Sequence, residues 1–411
     1  MFERSELAAP QNDNDRLILR VMLVSGSLTC LAGLNCGWVG PLVPSIAAAQ
    51  QMQLVEAGSI VSVYSAGSLI PLAVGKQLVE RLGGRKCLLM ASLLFCIGLA
   101  ILGCGHGVLE LSLGAAALGI GAGLNSIAGT ILILRLASSS GASDLSKLNI
   151  FFGVGALLGP QVAMVGLSSF WSYHAVYIFG AVFALCVMFG AGLSKKLDIR
   201  LPVTETPDTG FNPTEKAVLL YIASVFLYVG VEVAVAAWLF TYLNMTCRMP
   251  KEWASSSMTV MWCGLTLGRF LAIMLFKRYD SSKIVLCAIA LVTLSLFTLC
   301  AFPALGNYSI IAVALLGLGF GPCFPTLIAS ASARYKDHSA AITSTVITAG
   351  AFAGITFPLA IGQVFSKIGH REGLSILVVC SVLLLILFYI VQFKMPREKK
   401  EVLDANLLTE V

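Results

Sequence analysis

The feature that most constrains this chain is a series of apolar stretches that recurs from one end to the other. A helix needs about 20 mostly apolar residues to cross a bilayer. Breaks at charged or turn-forming clusters leave twelve such segments, near 18–46, 57–79, 87–105, 109–135, 148–170, 174–194, 216–243, 254–277, 284–302, 308–333, 340–365 and 373–393. Of 411 residues 57% are hydrophobic and 12% charged, about half the charged fraction of an ordinary soluble domain. Backbone polar groups in lipid must find partners within the protein. The expected fold class is therefore an all-α membrane protein with twelve transmembrane helices. The first segment is too long for a signal-peptide core and is expected to stay in the mature chain.

Lysine and arginine give an orientation. With the N-terminus inside, most of the 27 basic residues fall on one side, including Lys76, Arg81, Arg85 and Lys86, then Lys195, Lys196 and Arg200, then Lys277, Arg278 and Lys283. Only Arg248, Lys251, Lys367 and Arg371 fall opposite, and Arg269 lies within a segment. The positive-inside rule then puts both termini in the cytoplasm, in a plasma or inner membrane. The net charge of +6 is a topology signal and implies no nucleic-acid partner.

Other function classes lack their signatures. Twelve cysteines are scattered with no C-x-x-C, and the four histidines fall at segment ends or in loops, so no metal site is expected. No G-x-x-x-x-G-K-[ST] occurs, and "GVGALLG" (153–159) sits within a span, where small residues serve close helix packing. No cofactor and no enzyme activity are expected.

The polar stretch "KKLDIRLPVTETPDTGFNPTEK" (195–216) divides the segments six and six. A shift of 198 residues lays "LGIGAG" (118–123) on "LGLGFG" (316–321), and Pro160 on Pro358. One shift aligning two segments implies duplicated halves, parallel because six is even. The expected organisation is a tail (1–17), a six-helix bundle (18–194), a linker (195–215), a second bundle (216–393) and a tail (394–411). One chain holds both halves of a pathway, so a monomer in the lipid bilayer suffices.

In parallel-repeat carriers the cargo site lies between the halves near the middle of the membrane. Ionisable residues within spans are costly and mark such sites. Only Glu232 and Arg269 lie away from segment ends. Glu232, in "YVGVEVAVAAWLFTYL" (228–243), is too deep to reach the interface. A protonated carboxyl donates a hydrogen bond and an ionised one accepts, which is the chemistry a proton-coupled carrier needs. A cargo ligand without coupling and a neutral interhelical hydrogen bond are the alternatives. Tyr228 is one turn before it on the same face, whereas Trp238 is about 120° away by helical geometry. Either Trp238 serves a gate or the helix is broken. Arg269 is expected at an inner gate, reaching Asp280 or helix carbonyls, with direct cargo contact the alternative. Asn35, Trp38, Asn125, Gln161 and Phe324 complete the candidate cargo site, since amides and aromatic rings suit a polyol. Their abundance without a basic cluster points to a neutral cargo.

"GKQLVERLGGRK" (75–86) resembles the loop signature of the major facilitator superfamily, with Glu80 and Arg81 where that signature has Asp-Arg. "LNIFFGVGALLGP" (148–160), "YVGVEVAVAAWLFTYL" and "GLGFGPCFPTLIA" (317–329) resemble the fucose:proton symporter family and its glucose transporter relatives. The resemblance implies the major facilitator fold and cation-driven transport of a hexose or related sugar, with H+ or Na+ as coupling ion. It implies alternating access by rocking of the halves, and a loop around Glu80, Arg81 and Arg85 that latches the outward-open form. The acids those symporters carry in the first and fourth segments are missing, since Gly40 stands at the first position and "GAGLNSIAGTILI" has no carboxylate. Coupling would then rest on Glu232. The rival reading is an exporter of amphipathic drugs or lipids by cation antiport.

Overall fold

The computed structural model describes residues 8–136, 141–168, 172–193, 212–335 and 338–395. The stretch 194–211, which holds nearly all of the expected linker, and the tails 1–7 and 396–411 lie outside these. Twelve helices cross the molecule: α1 (Ala8–Ala49), α2 (Leu54–Leu82), α3 (Gly84–Cys104), α4 (Gly107–Leu136), α5 (Gly141–Leu167), α6 (Ser172–Leu193), α7 (Lys216–Met245), α8 (Lys251–Leu275), α9 (Ser281–Ala301), α10 (Ser309–Arg334), α11 (Ser339–Lys367) and α12 (His370–Tyr389). Every one is long and apolar enough to span a membrane, and no strand occurs among the described residues. Hydropathy locates the spans but not their ends. α1 begins at Ala8, ten residues before its apolar segment, because a helix continues into polar sequence wherever water can solvate it.

Twelve alternating spans place the start of α1 and the end of α12 on one face, called here the terminal face. The opposite one is the distal face. The packing repeats: α1 lies on α5, α2 on α4, and α3 on α4 and α6, as α7 lies on α11, α8 on α10, and α9 on α10 and α12. These are two six-helix halves of one design. Large apolar side chains such as Leu109, Phe189, Ile273 and Val379 stay exposed on the perimeter, as lipid-facing residues do.

The repeated glycines explain the crossings. A Cβ at Gly119 would run into the carbonyl oxygen of Tyr64, and one at Gly123 would lie 2.6 Å from that of Ser68, so α4 rides directly on the backbone of α2. At the shifted positions a Cβ at Gly317 would strike the Met261 carbonyl, and one at Gly321 would lie 2.6 Å from the Arg269 amide nitrogen. Helices without a hydrophobic force between them associate through such close backbone contact.

The motif loop is shorter than a loop. Gly83 alone links α2 to α3, with φ of 87° that favours glycine. Arg85 then reaches α6 of its own half, donating from Nε to the Ala191 carbonyl at 3.5 Å and from Nη2 to the Gly192 carbonyl. A guanidinium on the last carbonyls of a helix suits the negative end of its dipole. The partner of Arg85 is thus a helix end inside the first half, not the opposite half.

Candidate functional site

The halves meet chiefly through α2 with α11, α5 with α8, and α1 with α7. Several of these contacts lie toward the distal face. Ser255 Oγ on α8 donates to the Pro160 carbonyl of α5 at 2.8 Å, and Gln161 Nε2 donates to Thr259 Oγ1 at 3.1 Å. Trp238 on α7 is buried, with its indole rim where a Cβ of Gly58 on α2 would sit and 2.5 Å from that of Gly362 on α11. Its Nε1–H donates to the Pro358 carbonyl at 2.9 Å, and its ring packs on Phe365 with centroids 5.4 Å apart. The repeat-related prolines, Pro160 and Pro358, thus both lend a carbonyl to a side chain of another helix.

Six residues nearer the terminal face lies Glu232. α7 is one continuous helix from Lys216 to Met245 with no proline inside it, so Glu232 and Trp238 point in different directions from one straight rod. Glu232 sits beside the Tyr228 hydroxyl and within reach of the charge of Arg269 on α8. The thiols of Cys36 on α1 and Cys323 on α10 are also within its electrostatic reach. Four helices, α1, α7, α8 and α10, converge on this carboxyl, and both halves contribute. Glu232 keeps partial exposure although protein surrounds it, as a residue lining internal space does.

Tyr228 is fixed from two sides. Its hydroxyl donates to the Phe320 carbonyl at 2.9 Å, and its ring stacks on Phe324 with centroids 6.2 Å apart and planes at 28°. Phe320 closes a third side edge-on at 6.0 Å.

Arg269 comes to the centre by helix direction. Side chains in a helix lean toward its N-terminus. α8 starts at the distal face, so Arg269 leans away from the terminal face, and Glu232, on a helix running the other way, leans to meet it. Its Nε–H is shielded and finds no acceptor among the described residues. Asp280, the expected partner, is instead the N-cap of α9, accepting from the Lys283 amide at 3.1 Å.

The polar residues of the first half are engaged with each other. Asn35 Oδ1 accepts from Trp38 Nε1 at 3.0 Å, and the buried Trp38 ring meets Tyr177 of α6 edge-on, facing into its own half. Asn125 Nδ2 donates to the Ser25 carbonyl at 3.2 Å and to Thr29 Oγ1 at 3.1 Å, tying α4 to α1. The structure therefore brings together Tyr228, Glu232, Phe324 and Arg269. It places Trp238 and Gln161 where the halves meet, and Asn35, Trp38 and Asn125 inside the first half. Glu80 is half-buried and Arg81 exposed at the terminal end of α2. Sequence reasoning passed over Cys36 and Gly58; a glycine opposite a tryptophan carries no signal until the partner helix is known. No group of three metal-ligating side chains occurs among the described residues.

A profile of the Major Facilitator Superfamily matches residues 26–358. A protein named TsgA homolog from Yersinia enterocolitica is 22% identical over 374 residues, covering 89% of this chain and 92% of its own. The glucose/mannose transporter GlcP of Bacillus subtilis is 24% identical over 339 residues, covering 79% of this chain and 82% of its own. Among solved structures, the nucleoside transporter NupG superposes with a TM-score of 0.73 at 16% identity, over 92% of this chain and 100% of that one. A D-xylose-proton symporter superposes with a TM-score of 0.70 at 18% identity, over 92% and 98%. With its twelve helices, its duplicated halves and a profile match over most of its length, this chain belongs to the Major Facilitator Superfamily of membrane transporters.

Proposed function

We propose that the chain is a secondary active carrier of a small solute of the sugar class, hexose-sized, working by alternating access and driven by a proton or sodium gradient through Glu232. The observation that carries this reading is the carboxyl itself, held where four helices of both halves converge and beside the stacked rings of Tyr228 and Phe324. A sugar ring packs on an aromatic face while its hydroxyls need both donors and acceptors. The carboxyl supplies either, according to its proton. The names of two similar proteins, a glucose/mannose transporter and a D-xylose-proton symporter, support the same class.

The contacts around Trp238 and Ser255 close the distal side. With the termini cytoplasmic, as the lysine and arginine distribution indicates, this is a state facing the cytoplasm, and Trp238 acts as the outer plug. The test is uptake of a panel of labelled sugars into proteoliposomes, with and without an imposed proton or sodium gradient, for wild type and Glu232→Gln. Accumulation that the variant loses while it keeps exchange is the expected result. Gradient-independent equilibration that the variant leaves unchanged makes the protein a facilitator with a structural glutamate. No flux of any sugar removes the reading and returns the exporter of amphipathic compounds.

A further inference from the structure

Arg269 remains without a role in the coupling chemistry just described. It sits on α8 where the Gly321 crossing fixes its backbone, its Nε–H has no acceptor among the described residues, and its side chain keeps partial exposure. A guanidinium carries five donors and keeps its charge. At membrane depth such a group lines a watered path, meets a ligand or balances an opposite charge, here that of Glu232.

The groups facing this centre are Glu232 and Tyr228 on α7, Cys36 on α1, Cys323 on α10, and Arg269 itself. Glu232 alone among them is a carboxyl that can balance the arginine. The Tyr228 hydroxyl lies beside Glu232 and donates to the Phe320 carbonyl. No hydrogen bond joins Glu232 to Arg269 among the described residues. Once the coupling proton of the proposed carrier sits on Glu232, the centre carries the one positive charge of Arg269.

We propose that the cargo of this site is a monoanionic sugar acid, its carboxylate bound by Arg269 and its ring by Phe324, which the buried Tyr228 backs. The proposal rests on the sugar-carrier reading above and changes one property of the cargo, its charge. A planar guanidinium matches a carboxylate with two parallel hydrogen bonds. One proton on Glu232 and one carboxylate on Arg269 bring the loaded site to neutrality. When both have left, ionised Glu232 and Arg269 make the empty site neutral again. Each transit of the low-dielectric interior then proceeds without an unbalanced charge. The sequence shows no basic cluster because one carboxylate requires only one guanidinium.

The experiment is equilibrium binding to the purified full-length protein of matched labelled pairs, glucose with glucuronate and galactose with galacturonate, for wild type, Arg269→Gln and Arg269→Lys. For at least one pair the acid is expected to bind about tenfold or more tighter than the neutral sugar, as a charge-assisted paired contact provides. Arg269→Gln is expected to bring the acid and neutral-sugar affinities of each pair to within about twofold of each other, and Arg269→Lys to retain part of the preference. A neutral sugar that binds as tightly as its acid overturns the proposal and leaves the carrier reading standing. An acid preference that survives Arg269→Gln also overturns it, and absence of binding by every sugar and acid removes both. Should Arg269→Gln fail to fold, the wild-type preference and the lysine variant decide.

Discussion

At the offset of 198 residues, Tyr228, Glu232 and Arg269 of the second half fall on Cys30, Leu34 and Pro71 of the first. None of the first-half residues at these positions carries a charge. The first half is instead the more tightly joined along its central helix. A Cβ at Gly33 or Gly155 would strike the carbonyls of Phe152 or Cys30, so α1 and α5 touch backbone to backbone. The equivalent crossing of α7 on α11 is spaced by Val231, Ala353 and Phe357. Duplication supplied one scaffold twice, and the charged chemistry was placed only on the copy whose central helix is cushioned by side chains.

The sharpest way to break this comparison is to exchange the roles of the halves. Glu232→Gln is expected to abolish gradient-driven accumulation, whereas Asn35→Ala in the first half keeps it, as measured side by side in proteoliposomes. Accumulation lost equally in both would spread the coupling over both halves. Next in size is packing. Gly155→Ala is expected to destabilise by about 3 kcal/mol, since overpacking against a backbone has no side chain to yield, and Ala353→Gly by only about 1 kcal/mol. Thermal unfolding in detergent compares the two, and equal shifts would erase the difference between the crossings.

A smaller effect belongs to the plug. Gly58→Val removes the seat of Trp238 and is expected to slow sugar exchange by roughly tenfold, the cost of about 1.4 kcal/mol in placing the indole. Exchange at the wild-type rate would take Trp238 out of the closure. Smallest is Asn125→Ala, expected to lower stability by about 1 kcal/mol through the lost α4–α1 hydrogen bonds. Cargo affinity should stay within twofold, a change of about 0.4 kcal/mol; a larger loss would return Asn125 to the cargo site.

The spans and the duplication were legible in the sequence because lipid admits few solutions. Apolar length marks each helix, and the glycines at 119, 123, 317 and 321 mark crossings that tolerate no side chain. Glu232 was legible as a candidate because a carboxyl in a span has so few explanations. The facing of the amides was not. A helix surrounded by lipid on one side and protein on the other is apolar all round, so nothing in the sequence shows that Trp38 turns toward Tyr177 of its own half. Arg269 was read as a gate from its distance to the helix end, and the lean of its side chain along α8 is what carries it inward. Asp280 was assigned a partner by proximity in sequence, but an Asp before a helix more simply caps it.

α1 contains Pro41 and Pro44, whereas α7 contains no proline, and the six residues from Glu232 to Trp238 span about 9 Å of uninterrupted helix. That stretch has no joint. The carboxyl and the indole are therefore fixed points on a single rod, and any roll or tilt that changes the surroundings of one displaces the other in the same instant. Under the coupled-carrier reading proposed above, the order of ion release and opening is written in the pitch of one helix, and no loop has to carry a message between them.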